Sequence, residues 1–106
     1  MPLEDKSFSL VVAIVNPGYS EEVIRIAEEN GASGGTVVFG RGASIRSKAS
    51  LLGISIEPQK EVIYVVSPRE VVPDLLIKLN TACRLSELGS GLAFAVPLDA
   101  VTGLDF

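Results

Sequence analysis

The chain has 106 residues with nine Lys+Arg, 13 Asp+Glu and no His, for a net charge of −4. Hydrophobic residues make up 47% and mean hydropathy is +0.41, high for a chain that buries only about two-thirds of its unfolded surface when it folds alone. No apolar run approaches ~18 residues and net charge is modest, which excludes a membrane-spanning helix and a disordered chain and leaves one domain over 1–106.

Residues 7–15 are short, apolar and β-branched, and Asn16-Pro17-Gly18 ends them; they read as a strand. Ser20 is placed as an N-cap, with Glu21 and Glu22 in the first helical turn. Val23, Ile26 and Ala27 give that helix an apolar face, and Gly31 is its left-handed stop. Residues 35–39 form a second strand. From Gly40 to about Lys60 the chain is rich in Gly and Ser and has no strong period. A loop of that length in a small domain is functional or disordered. Residues 61–66 form a third strand. Ser67-Pro68-Arg69-Glu70 has a capping-box pattern with Pro at the first helical position. Apolar residues at 72, 75, 76, 79 and 83 then make a helical stripe, with Pro73 awkward inside it. Gly89-Ser90-Gly91 punctuates, and Leu92 to Pro97 is a fourth strand.

The order βαβ, long loop, βαβ predicts an α+β, ferredoxin-like βαββαβ sandwich. It has a four-stranded antiparallel sheet with two helices on one face. Yet the strands are apolar on both faces. Leu10, Val12 and Ile14 alternate with Val11, Ala13 and Val15, and Val62, Tyr64 and Val66 with Ile63 and Val65. Strands apolar on both faces are normally buried on both. With no second helical layer in the sequence, another subunit is the expected cover.

The chemistry is constrained as much by what is missing. Without His and with one Cys, zinc sites and Ser-His or Cys-His nucleophile pairs are excluded. One Cys makes no internal disulfide, and residues 1–6 are polar and acidic; both fit a cytoplasmic protein. Cys83 continues the helical stripe as a small core residue. Tyr19 and Tyr64 have no base nearby in sequence, and no acid–base pair stands out, so no catalytic residue and no metal site are assigned. An acidic chain, pI ≈ 4.7, is a poor nucleic-acid binder. The charge is uneven, however. Residues 30–56 hold Arg41, Arg46 and Lys48 and no acid, so this window carries +3 and the remainder −7. Glycines in and beside it let backbone N–H groups approach a ligand, and arginine forks onto phosphate or carboxylate. The window reads either as an anion site at the strand–loop junction or as a flexible loop with solvated basic residues.

The layout resembles PII-type nitrogen regulatory proteins over roughly residues 8–98. The matching pieces are Val15-Asn16-Pro17, Gly35-Thr36-Val37, Phe39-Gly40-Arg41, the long loop, Lys60-Glu61-Val62-Ile63-Tyr64-Val65-Val66, and Gly89-Ser90-Gly91-Leu92 with the strand it opens. The resemblance implies a homotrimer with its sheets facing one another. It implies a non-enzymatic sensor that holds adenine nucleotide between subunits and reshapes the long loop, about 42–60, to regulate a membrane transporter or metabolic enzyme. Carried over, Gly35 and Thr36 lie near the adenine, and Val65 offers backbone to the base. Gly40 and Arg41 approach the phosphates, as does the Gly89-Ser90-Gly91 turn of the facing subunit. Arg46, Lys48, Leu51, Leu52, Ile54 and Ile56 become docking residues.

The departures matter too. The family's lysine after the glycine turn is Leu92 here, and its lysine before the first proline is Asn16. The loop has no Tyr, and the basic C-terminal residues are missing. Fewer charge-assisted contacts favour ADP or AMP over Mg-ATP. No cofactor, nucleic acid or membrane insertion is implied. Two alternatives stay open: a ligand-free trimeric scaffold, and a ferredoxin-like trimer of the cation-tolerance type, against which the lack of His weighs.

Overall fold

The computed structural model describes residues 7–41 and 59–104. Its strands are β1 (Phe8–Val15), β2 (Thr36–Arg41), β3 (Gln59–Pro68) and β4 (Gly91–Pro97), and its helices α1 (Ser20–Glu29) and α2 (Val72–Ala82). A 3-10 turn at Arg69–Val71 leads into α2. The sheet order is β2-β3-β1-β4 with every pair antiparallel. This is the expected ferredoxin-like sandwich.

Both helices lie on one face of the sheet, α1 over β3 and α2 beside β4, packed on each other. The core sits between. Val11, Ala13, Val15, Ile63 and Val65 come from the sheet, Val23, Ile26 and Ala27 from α1, and Leu75, Leu79 and Cys83 from α2 and its end. These are the predicted stripes. Burial pushes the Cys83 thiol up, with the charge of Glu22 adding to it, which suits a core residue.

The other face carries no helix. The register puts three cross-sheet rows on it: Val38, Val62, Ile14 and Leu92; Thr36, Tyr64, Val12 and Phe94; then Val66, Leu10 and Val96. Leu92, Val96, Val38, Tyr64 and Phe94 stand 40–51% exposed.

Three local expectations are corrected. Ser20 is the first residue of α1 rather than its cap, and the N-cap position, Tyr19, makes no side-chain cap bond. The cap comes from across the fold: Glu61 Oε1 accepts from Gly18 N at 3.0 Å and Ser20 N at 3.2 Å. A carboxylate at a helix N-terminus satisfies free donors and opposes the dipole. Ser67 and Pro68 open no helix. They end β3 opposite Ser9 and Phe8, and Ser67 is fully buried. Pro73 then falls in the first turn of α2, where a missing N–H costs little. Finally, Gln59 and Lys60 belong to β3, not to the long loop. Pairing with Arg41 and Gly40 extends the hairpin past the point where hydropathy fades.

Candidate functional site

One end of the sheet gathers the residues flagged for anion binding. Gly40 on β2 faces Lys60 on β3. Asn16 follows the last residue of β1, and Ser90 precedes the first residue of β4. Arg41, exposed, closes β2 opposite Gln59. Lys60 ties this end together. Its Nζ donates to Asn16 Oδ1 at 2.5 Å and to Gly89 O at 2.8 Å, so a β3 side chain reaches past β1 to the turn before β4.

The electrostatics of Lys60 are unusual. The residue is only 8% exposed, as is Ser90. Both of its acceptors among the described residues are neutral. The ion pairs among the described residues, Arg25 with Glu22 and Glu29 and Lys78 with Asp74, all lie on exposed helix surface. Burial pushes the Lys60 ammonium below the usual lysine range, and among the described residues no carboxylate is paired with it to offset that pressure.

The glycines separate by cause. At Gly91, φ is +121°, and a Cβ would stand 1.9 Å from the carbonyl oxygen of Ile14. The close approach of β4 to β1 therefore demands glycine there, whatever binds. Gly40 is the reverse case: its φ is ordinary, and a Cβ would meet nothing nearer than Val62 Cγ2 at 3.9 Å. Nothing in the described fold requires Gly40 to be glycine.

The expected base-binding residues form a second group. A Cβ on Gly35 would lie 3.1 Å from Val65 Cγ2 and 3.2 Å from the Tyr64 carbonyl oxygen, and Thr36 faces Tyr64. Gly35, Thr36 and Val65 thus come together. Thr36 and Gly40 lie about 13 Å apart along the strand at ~3.3 Å per residue. Gly89-Ser90-Gly91 stands at the Gly40 end of the same chain. Arg46, Lys48, Leu51, Leu52, Ile54 and Ile56 lie outside the described residues.

Sequence reasoning places Lys60 at the end of the long loop and gives it no role. The signal was there: Lys60 shares a strand face with Val62, Tyr64 and Val66, a lone cation ending an apolar stripe. Glu61 was missed for another reason, since its partners are more than 40 positions away.

Among solved structures the chain is similar to the crystal structure of Arabidopsis thaliana PII bound to citrate. The TM-score is 0.67 at 24% identity, over 90% of this chain and 80% of that one. The fold is PII-like. No family model matches the sequence, and no curated protein matches it. The PII-like fold is reached here with Leu92 and Asn16 in place. Among the described residues no group of three or more His, Cys, Asp or Glu is arranged to hold a metal, and no helix is long and apolar enough to cross a membrane.

Proposed function

We propose that this protein is a non-enzymatic, PII-like sensor of a small oxyanion ligand, adenine nucleotide by class, with ADP or AMP favoured over Mg-ATP. It works as a cytoplasmic homotrimer without a cofactor and regulates a transporter or metabolic enzyme through residues 42–60. The observation that carries this reading is the sheet end where Gly40, Arg41, Lys60, Asn16 and the 89–91 turn converge. Two cations, one buried, meet glycine backbone there, which is the chemistry of phosphate and carboxylate recognition. Gly35, Thr36 and Val65 supply a separate patch further along the same hairpin, at a separation an extended nucleotide spans. The Arabidopsis thaliana PII structure holds citrate, an oxyanion of the class proposed here.

The bare face supports self-association. An apolar patch of three cross-strand rows, with Leu92, Phe94 and Val96 among its exposed members, is the kind of surface that marks an interface. A second and third copy of the sheet are its natural cover, and the number three rests on the likeness of fold. The glycine turn of one subunit then stands near the hairpin of the next.

Calorimetry with ATP, ADP and AMP at low salt tests the ligand. ADP or AMP should give saturable heat, and Gly40→Ala should weaken it at least tenfold without loss of fold. No heat with any nucleotide sinks the adenine reading. Native mass measurement should give three chains; a stable monomer at micromolar concentration removes the intersubunit site.

A further inference from the structure

We propose that the covered face of the sheet holds a small monovalent anion, of the size of chloride, on the Arg69 guanidinium and the hydroxyls of Ser9 and Ser67. The site stands at the far end of β3 from Lys60 and is separate from the glycine-lined end described above. The starting point is an orphan. Among the described residues Arg69 Nε is buried and has no acceptor. Its Nη2 is committed to the carbonyls of Phe8 and Leu98, at 3.1 and 3.0 Å, and its backbone N–H to the Ser7 carbonyl at 2.7 Å. These bonds fix the side chain, so Nε reaches water only if the hold on both strand ends is released. A guanidinium keeps its charge in proteins. Its acceptors here are neutral carbonyls, and among the described residues no carboxylate is paired with it. A buried donor left unpaired costs more than an ordinary hydrogen bond returns, and in a native fold such a group calls for a water or an ion.

The neighbouring row of the sheet supplies the rest. The covered face is apolar in the rows Ile63, Ala13, Ala93 and Val65, Val11, Ala95. It then turns polar. Ser67 and Ser9 face one another across the register, with Pro97 beside Ser9. They are 0% and 3% exposed, as deep as the valines before them. The Ser67 hydroxyl donates only to the carbonyl of its chain neighbour Pro68, at 3.1 Å. Valine at these positions would extend the core with no polar group to satisfy, so hydroxyls at this depth call for a polar occupant. The bond from Arg69 N to Ser7 O carries the β1–β3 register one step further, and strand alternation sets Arg69 on the same face as Ser67. The carbonyls that Nη2 reaches belong to Phe8 and Leu98, the chain neighbours of Ser9 and Pro97. An orphan N–H and two buried hydroxyls thus gather at one corner of the core. A water would satisfy hydrogen bonds alone. The uncompensated charge decides for an anion, because attraction is least screened where solvent is excluded. Surroundings this closed admit an ion of one or a few atoms, entering as the strand ends fray, and not a nucleotide.

The test pairs crystals soaked in sodium bromide with thermal melting in sodium chloride against sodium gluconate at equal ionic strength, for wild type, Ser9→Val and Arg69→Met. Anomalous scattering should place one bromide within hydrogen-bond reach of Arg69 Nε. Wild type should melt several degrees higher in chloride than in gluconate. Ser9→Val keeps the hold of Arg69 on Phe8 and Leu98 and fills the place of the anion. In gluconate it should melt at or above the wild-type temperature, and chloride should add nothing. Arg69→Met should lose the chloride gain as well, and should melt lower in both salts because the strand ends are released. Should Arg69→Met fail to fold, Ser9→Val carries the comparison. A water at Nε with no bromide beside it overturns the proposal. So do bromides confined to exposed surface, which are adventitious ions only, and equal melting of wild type in the two salts. A chloride gain that persists in Ser9→Val places the ion elsewhere and overturns it too. So does a Ser9→Val that melts several degrees below wild type in gluconate, since the serine row is then packed full.

Discussion

On the helix-covered face of the sheet, Val11, Ala13, Ile63 and Val65 are 2% exposed or less. On the opposite face, Leu92, Phe94 and Val96 stand 40–51% exposed. The contrast is sharpest within β4. Its partly buried helix-side residues are Ala93 and Ala95, and its larger side chains, Leu92, Phe94 and Val96, point away from the helices. A lone sandwich would put the bulk inside. Here the uncovered face has the greater apolar volume, so it is built to be packed as much as the covered one is. One face folds the subunit; the other is suited to join subunits.

Matched truncations break the comparison most directly. Leu79, 1% exposed under the sheet, should cost about 3 kcal/mol as Leu79→Ala, at every protein concentration. Chemical denaturation over a hundredfold range of concentration checks this. Leu92→Glu should act in the opposite manner. Leu92 is 51% exposed in the single chain, so the isolated subunit should lose no more than about 0.5 kcal/mol, while assembly is lost. Sedimentation should show single chains that keep wild-type secondary structure. If Leu92→Glu leaves the assembly intact, the bare face is not its interface.

Glu61 tests the covered side at finer scale. Its carboxylate accepts from Gly18 N and Ser20 N, so Glu61→Ala leaves two donors at the start of α1 unsatisfied. A loss of about 1 kcal/mol is expected, with amide exchange quickened first around residues 18–23. Replacing Ser20 by Ala should change stability much less, because Ser20 lies within the helix and makes no cap bond.

The architecture was legible because strand period, helix stripe and turn residues agree along most of the chain. Val11, Ala13 and Val15, Val23, Ile26 and Ala27, and Leu75 and Leu79 all fall where alternation and 3.6-residue spacing put them. What local patterning does not carry is any partner far along the chain. Glu61 took the cap that Ser20 promised, and Arg69 took a role no pattern indicates: its Nη2 donates to the carbonyls of Phe8 and Leu98, holding the ends of β1 and β4. The flagged glycines were legible as a set but not by cause. Gly91 answers to the Ile14 carbonyl and Gly40 to nothing in the described fold, and only coordinates separate the two. Lys60 was hidden by its company, a cation at the end of an apolar strand.

The smallest expected effect concerns that cation and pH. Burial lowers the Lys60 pKa from the ordinary 10.5, so in the folded chain Lys60 releases its proton at lower pH than in the unfolded one. Between those two values the unfolded state binds more protons, and raising the pH favours the folded state. Below that window both states are charged, and the cost of burying the ammonium is fully present. Wild type should therefore gain stability relative to Lys60→Met as pH climbs toward the ordinary lysine range, and the gap should be flat at neutral pH. The difference between the two proteins cancels the titration of the other lysines and the tyrosines. Wild type that loses stability relative to Lys60→Met as the pH rises would instead place a counter-charge beside Lys60. The ammonium would then be one half of an ion pair rather than a buried charge held by the neutral acceptors Asn16 Oδ1 and the Gly89 carbonyl.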